Sequence, residues 1–147
     1  MKIFSTVIFA SLTLLIMSVS NSFGRVITSC GGSEGYSYFF KNSSDSTSEW
    51  EKDRISKGQI IFTIENGKAG IIYKDILRTR SASEDGSSLI MTPSINGHTL
   101  VIVLNKTFVE SYHFHLDANG KGEVAWGSHK FATLTPRSSL MVAKCEK

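Results

Sequence analysis

The sequence predicts an all-β protein, an antiparallel meander of seven to nine strands that forms a small barrel or sandwich. Three observations predict it. Apolar residues recur with period two, or in short runs, as they do in half-buried and buried strands. Turn signals punctuate those runs at meander spacing, led by Asn66-Gly67, Asn96-Gly97 and Asn119-Gly120, because Asn and Gly tolerate the positive φ that tight hairpins demand. The only two cysteines, Cys30 and Cys145, stand near the two ends of the exported chain. Closure into a barrel brings first and last strands together, so this spacing favours the barrel over the sandwich.

The chain opens with Lys2, then an uncharged run from Ile3 to Val19, then the small residues Ser20, Ser22 and Gly24. That order defines a secretory signal peptide over residues 1–24. The run is short of the ~20 mostly apolar residues with anchoring flanks that a spanning helix needs. A cut after Gly24, or after Ser22, leaves about 120 residues, a single domain with room for a core. The expected address is secreted or periplasmic, with no stable membrane insertion after cleavage. Ile27-Thr28-Ser29-Cys30 also fits a lipoprotein cleavage pattern. Against that, Arg25 sits between the apolar run and the cysteine, and lipidation would leave Cys145 a free thiol. In an oxidising compartment an even count of two implies the one bridge Cys30–Cys145.

Within the β domain, residues 25–147, the elements follow in order. "GYSYFF", ending at Phe40, is the first clear strand. "KNSSDSTSE", 41–49, is polar and Ser-rich and reads as a loop. Residues 45–57 hold the one hint of helix, since Ser48 and Glu51 fit a capping box. Trp50 and Ile55 are its only apolar residues, so a single turn or an irregular loop is expected. "GQIIFTIENGKAGIIY" (58–73) is a hairpin about Asn66-Gly67, and "DILRTRSAS" continues it as a strand or bend. "SSLIMT" and "HTLVIVL" flank a turn at Pro93–Gly97. "TFVESYHFHL" and "GEVAWGSHKFATL" flank another at Asp117–Lys121, and "SLMVAKC" closes the fold.

Charge excludes some partners. The net charge is +3, and the 16 basic and 13 acidic residues interleave. With no basic run, neither nucleic acid nor an anionic membrane is an expected partner.

Candidate chemistry is sparse. In "SYHFHLD" (111–117), Tyr112, Phe114 and Leu116 share one strand face, which must be the buried one. His113 and His115 then share the solvent face. Imidazoles at i and i+2 can chelate a metal, given a third ligand from His129, His98 or Asp117; the alternative is an ordinary solvated face. "DANGKG" starts like a calcium loop. However, Lys121 puts an ammonium where an oxygen ligand is needed, and Ser128 stands where the bidentate Glu belongs, so it reads as a turn. The sequence carries no nucleophile-elbow, phosphate-loop, HExxH or CxxC motif and calls for no cofactor. Trp50 and Trp126 read first as core residues, Trp50 capping one end. Alternatively Trp50, Tyr36 and Tyr38 line a binding surface.

With these residues read, the mature chain resembles a group of small exported bacterial proteins without assigned function. The resemblance rests on Cys30 followed by Gly35 and Tyr36, then Trp50, Asp53, Ile55 and Gly58. It continues with Tyr112 and Phe114 before Asp117, Asn119, Gly120 and Lys121, and ends with Ser138 to Cys145. It implies an envelope address and a terminal cysteine pair, and no activity. The histidines stand outside the shared motifs. The expected function is therefore non-catalytic: a binding or inhibitor-like β domain acting on an envelope or extracellular protein or a small ligand. A small metal-dependent or hydrolytic enzyme using His113 and His115 is the alternative.

Overall fold

A computed structural model describes residues 24–41 and 48–147. The segment expected to be a signal peptide, apart from Gly24, and most of the Ser-rich loop lie outside the described residues. Nine antiparallel strands follow one another: β1 (Arg25–Phe39), β2 (Glu49–Glu65), β3 (Lys68–Lys74), β4 (Thr79–Ser81), β5 (Ser88–Met91), β6 (His98–Leu104), β7 (Phe108–Leu116), β8 (Gly122–Lys130) and β9 (Arg137–Glu146). They form one sheet in the order β4-β3-β2-β1-β9-β8-β7-β6-β5. Every strand therefore lies beside its sequence neighbour except at two points. β1 and β9 pair, and β4 and β5 become the two edges.

The sheet curls into a half-barrel. Its inner face is fastened across the curl, where Phe62 of β2 stacks on Phe114 of β7 with ring centroids 4.7 Å apart. Between the two edges runs the turn 82–87, tied down by hydrogen bonds from Ala82 N–H to Ile71 C=O and from Asn105 Nδ2 to Asp85 C=O. The edge strands are only three and four residues long, which limits pairing with other chains.

The turns follow the local chemistry. Asn66 and Gly67 adopt φ of 49° and 75° between the paired residues Glu65 and Lys68, the two-residue hairpin geometry that demands two positive φ values. Asn96 and Gly97 repeat the solution at 52° and 82°. At Asp117–Lys121 the Asp117 carboxylate accepts the backbone N–H of Asn119 and of Lys121. This is an Asx-type turn, as the hairpin reading of the segment expects.

The core is the concave face, with Phe62, Ile71, Val101, Val103, Tyr112, Phe114, Val124 and Met141 buried. Burying each such side chain stabilises by about 1.5–3 kcal/mol. On β9 the alternation is strict. Ser139, Met141, Ala143 and Cys145 point in, and Leu140, Val142 and Lys144 point out. Cys30 and Cys145 are direct cross-strand partners joined by a disulfide, with Cα atoms 4.0 Å apart. Both are buried, and Cys30 is thus committed to a bridge.

Two expectations change. The helical hint at 45–57 gives way, over its described part, to β2, which extends back to Glu49 and pairs with β1 from Tyr38↔Trp50 to Ser33↔Ile55. Pairing with a neighbouring strand overrides a marginal capping signal. Trp50 does not cap the core. Its register opposite Tyr38 puts it on the convex face, 61% exposed. Trp126 does lie inside, and its indole N–H donates to Ser33 Oγ at 3.2 Å.

Candidate functional site

Register builds the convex face in rows that run across the strands. One row is Trp50, Tyr38, Ser138 and His129, from β2, β1, β9 and β8. The next is Lys52, Tyr36, Leu140, Gly127 and Ser111. A third runs Arg54, Glu34, Val142, Ala125, His113 and Leu100. Tyr36, Tyr38 and Trp50, the three residues expected to share a binding surface, are thus brought together. The Tyr38 ring lies 5.4 Å from that of Trp50 and meets Phe40 edge-on at 5.1 Å. Tyr36 and Leu140, cross-strand partners, are 56% and 62% exposed. Beside this patch a groove of about 430 Å³ runs over Gly127 and Ala125, walled by Trp50, Leu140, His129 and His113. The small residues of β8 make the groove, and Trp50 of β2 stands in its wall.

The histidines occupy the far side of the same face. His113 and His115 point outward as the alternation requires. The third imidazole is His98, which pairs with His115 across β6–β7. His98 Nδ1 lies 3.1 Å from His113 Nε2, and its ring stacks on His115 at 4.2 Å, nearly parallel. His129 is opposite Val109 instead and bonds Ser138 Oγ at 2.9 Å. Asp117 lies beyond the end of β7, where its Oδ1 holds the turn. Among the described residues no three His, Cys, Asp or Glu side chains are arranged to hold a metal as they stand.

The concave face holds a second cluster, around Glu110. Glu110 is 5% exposed. Its carboxylate accepts hydrogen bonds from the Tyr73 hydroxyl (2.7 Å), the Tyr112 hydroxyl and Ser128 Oγ (3.1 Å). Burial first, and the Glu110 charge second, push both phenols well above the usual tyrosine range, so they remain protonated donors. Lys130 lies nearby, its ammonium held below the usual lysine value by burial, with the Glu110 charge opposing that. A cavity of about 150 Å³ adjoins the cluster, walled by Ile55, Ile60, Tyr73, Phe108 and Trp126. This is space for about five waters, well short of the ~300 Å³ at which small-molecule sites begin. Three hydroxyls fill three of the carboxylate's roughly four acceptor sites, so its geometry is that of a structural anchor tying β3 to β7 and β8.

Sequence reasoning missed Glu110. The signal was present: Glu110 has the same parity as Tyr112 and Phe114, so an acid stood on the face assigned to the core. An acid there must be paired or hydrogen-bonded, but Tyr73, 37 residues away, cannot be identified from strand pattern.

No family model, no curated protein and no solved structure matches the chain.

Proposed function

We propose that this is a secreted or periplasmic binding domain, non-catalytic, that presents the convex face of β2, β1 and β9 to a partner protein. The observation that carries the reading is the contiguous exposure of Trp50, Tyr36, Leu140 and Val142 on one face of three paired strands. Large apolar side chains scattered singly on a surface need no explanation, but a contiguous patch marks an interaction site. Trp and Tyr are the residue types that dominate binding energy at protein interfaces. Lys52 and Arg54, which share this face on β2, supply the polar rim that such interfaces have. The disulfide fits the oxidising compartment that the signal peptide implies.

A hydrolase built on His113 and His115 is disfavoured on chemical grounds. Both imidazoles stand on an open convex surface, where nothing excludes water. The carboxylate opposite His115, Glu123, is held by Lys144 at 2.9 Å.

The test is photo-crosslinking in the native envelope. A photoreactive phenylalanine at position 36 is expected to give one discrete protein adduct, which Leu140→Asp abolishes. The same probe at position 68, in the distant β2–β3 hairpin, is expected to give none. Equal adducts from both positions, or insensitivity to Leu140→Asp in a variant with an unchanged melting curve, would overturn the reading.

A further inference from the structure

Three of the four histidines in the chain lie side by side on the convex face, two of them nitrogen to nitrogen and the third ring stacked on one of those, and nothing in the fold requires it. All three are solvent-exposed, so they add no core. We infer that His98, His113 and His115 form a surface site for a borderline divalent transition metal ion, with His98 Nδ1 and His113 Nε2 as its primary ligand pair.

The geometry of that pair is the first argument. Two imidazole nitrogens 3.1 Å apart, each about 2.05 Å from a common ion, subtend about 100° at it, between the octahedral and tetrahedral values. Without metal the pair shares one hydrogen bond, one nitrogen donating and the other accepting. With metal both nitrogens present lone pairs, and both rings turn so that these point at the ion rather than at each other. Each neutral ring then keeps its single proton on the other nitrogen, Nε2 of His98 and Nδ1 of His113. No oxidant, reductant or net proton is needed.

The strand lattice supplies the third ligand. His115 follows His113 by two residues on one strand and lies directly across from His98 on the next. Cross-strand partners have Cβ atoms about 4.5–5.5 Å apart, and i, i+2 neighbours share a face. Three imidazoles anchored at such points need only side-chain rotation to meet. The ring stacked on His98 at 4.2 Å must swing out of the stack. Exposed side chains turn between rotamers on the ps–ns timescale, so the closed arrangement is within easy reach.

The surroundings suit a cation. Leu100 lies across from His113 and Glu123 across from His115, so the nearest charge by register is an anion, itself tied to Lys144. An all-imidazole set on an open surface selects Cu(II), Zn(II) or Ni(II) over magnesium or calcium, with Cu(II) the tightest. This inference does not depend on the partner-binding reading, because it uses strands β6 and β7 rather than β1 and β2.

The experiment titrates mature, tag-free protein with copper or zinc chloride in a non-coordinating buffer, by calorimetry, alongside His98→Ala, His113→Ala, His115→Ala and His129→Ala. One ion per chain is expected. Loss of either primary ligand weakens binding by about tenfold or more, loss of His115 by less, and loss of His129 not at all, as fits a site with two fixed ligands and one recruited. The Cu(II) spectrum is expected to show coupling to two or three nitrogens, a readout that a purely structural role for the rings would not produce. Absence of binding overturns the inference. So does an affinity that the triple alanine variant retains, or one that falls as much with His129→Ala as with His98→Ala.

Discussion

Removing the carboxylate of Glu110 tests whether the inner polar cluster holds the half-barrel together. In Glu110→Ala the hydroxyls of Tyr73, Tyr112 and Ser128 lose their common acceptor. Hydrogen bonds to a charged group contribute about 1.5–3 kcal/mol each, so three give about 5–9 kcal/mol gross. Burying a carboxylate costs several kcal/mol, which the substitution recovers. The two tyrosine hydroxyls, 3.4 Å apart, can also partly satisfy each other. The net loss is then about 2–4 kcal/mol, or roughly 10 °C in melting temperature for a domain of this size. The assay is urea unfolding followed by tryptophan fluorescence, since Trp126 lies in the adjoining cavity wall. Tyr73→Phe is expected to cost about 1–2 kcal/mol alone and much less in the Glu110→Ala background. If Glu110→Ala costs under ~1 kcal/mol, or if the two substitutions are additive, the carboxylate is not the anchor described.

Three further outcomes follow from the fold. Cys30→Ser opens a loop of 115-residue separation and is expected to lower stability by about 4–5 kcal/mol on the chain-entropy account, visible as a lower melting temperature in non-reducing buffer; an unchanged curve would refute it. Gly35→Ala places a Cβ against the carbonyl oxygen of Leu140, so β1 and β9 must part locally. A loss of about 1–3 kcal/mol is expected, as for other overpacked sites, and faster amide exchange in β9 checks it. The Asp117 carboxyl titrates below the usual aspartate value because the backbone N–H groups of Lys121 and Asn119 bond it. Its folded value thus lies below the unfolded one. The stability it contributes is present above about pH 4 and is lost as pH falls through the folded value. Its NMR titration midpoint should therefore lie below the usual aspartate value, and in Asp117→Asn the acid-side slope should shrink.

Much of the fold was legible because strand faces and hairpin turns are local properties. Tyr112, Phe114 and Leu116 alternate with His113 and His115, and the buried face followed from that alone. Asn66-Gly67 and Asn96-Gly97 marked turns through their tolerance of positive φ. The cysteine pair placed β1 beside β9 by redox chemistry and count. The reading of Trp50 as a cap on the core was wrong, because its neighbours in sequence are polar and its position depends on pairing with Tyr38 across an intervening loop.

The proposed binding surface was only half legible for the same reason. Tyr36, Tyr38 and Trp50 could be nominated as aromatics, and His113 and His115 as a chelating pair. Leu140 had no mark to distinguish it from a core leucine until β9 alternation fixed Met141 inside and Leu140 outside. His98 was one of three nominated third ligands, and only the β6–β7 register chose it.

By itself the sequence determined an all-β chain, the hairpin turns, the faces of the strands and the one possible pair of bridge partners. Those depend on residue type and spacing over a few positions. The tertiary structure decided which outward residues share a row and which inward ones share a hydrogen bond. Trp50 meets Tyr38, His98 meets His113, and Tyr73 meets Glu110, because register between strands and curl of the sheet set those distances. Neither is written in the period of any one strand.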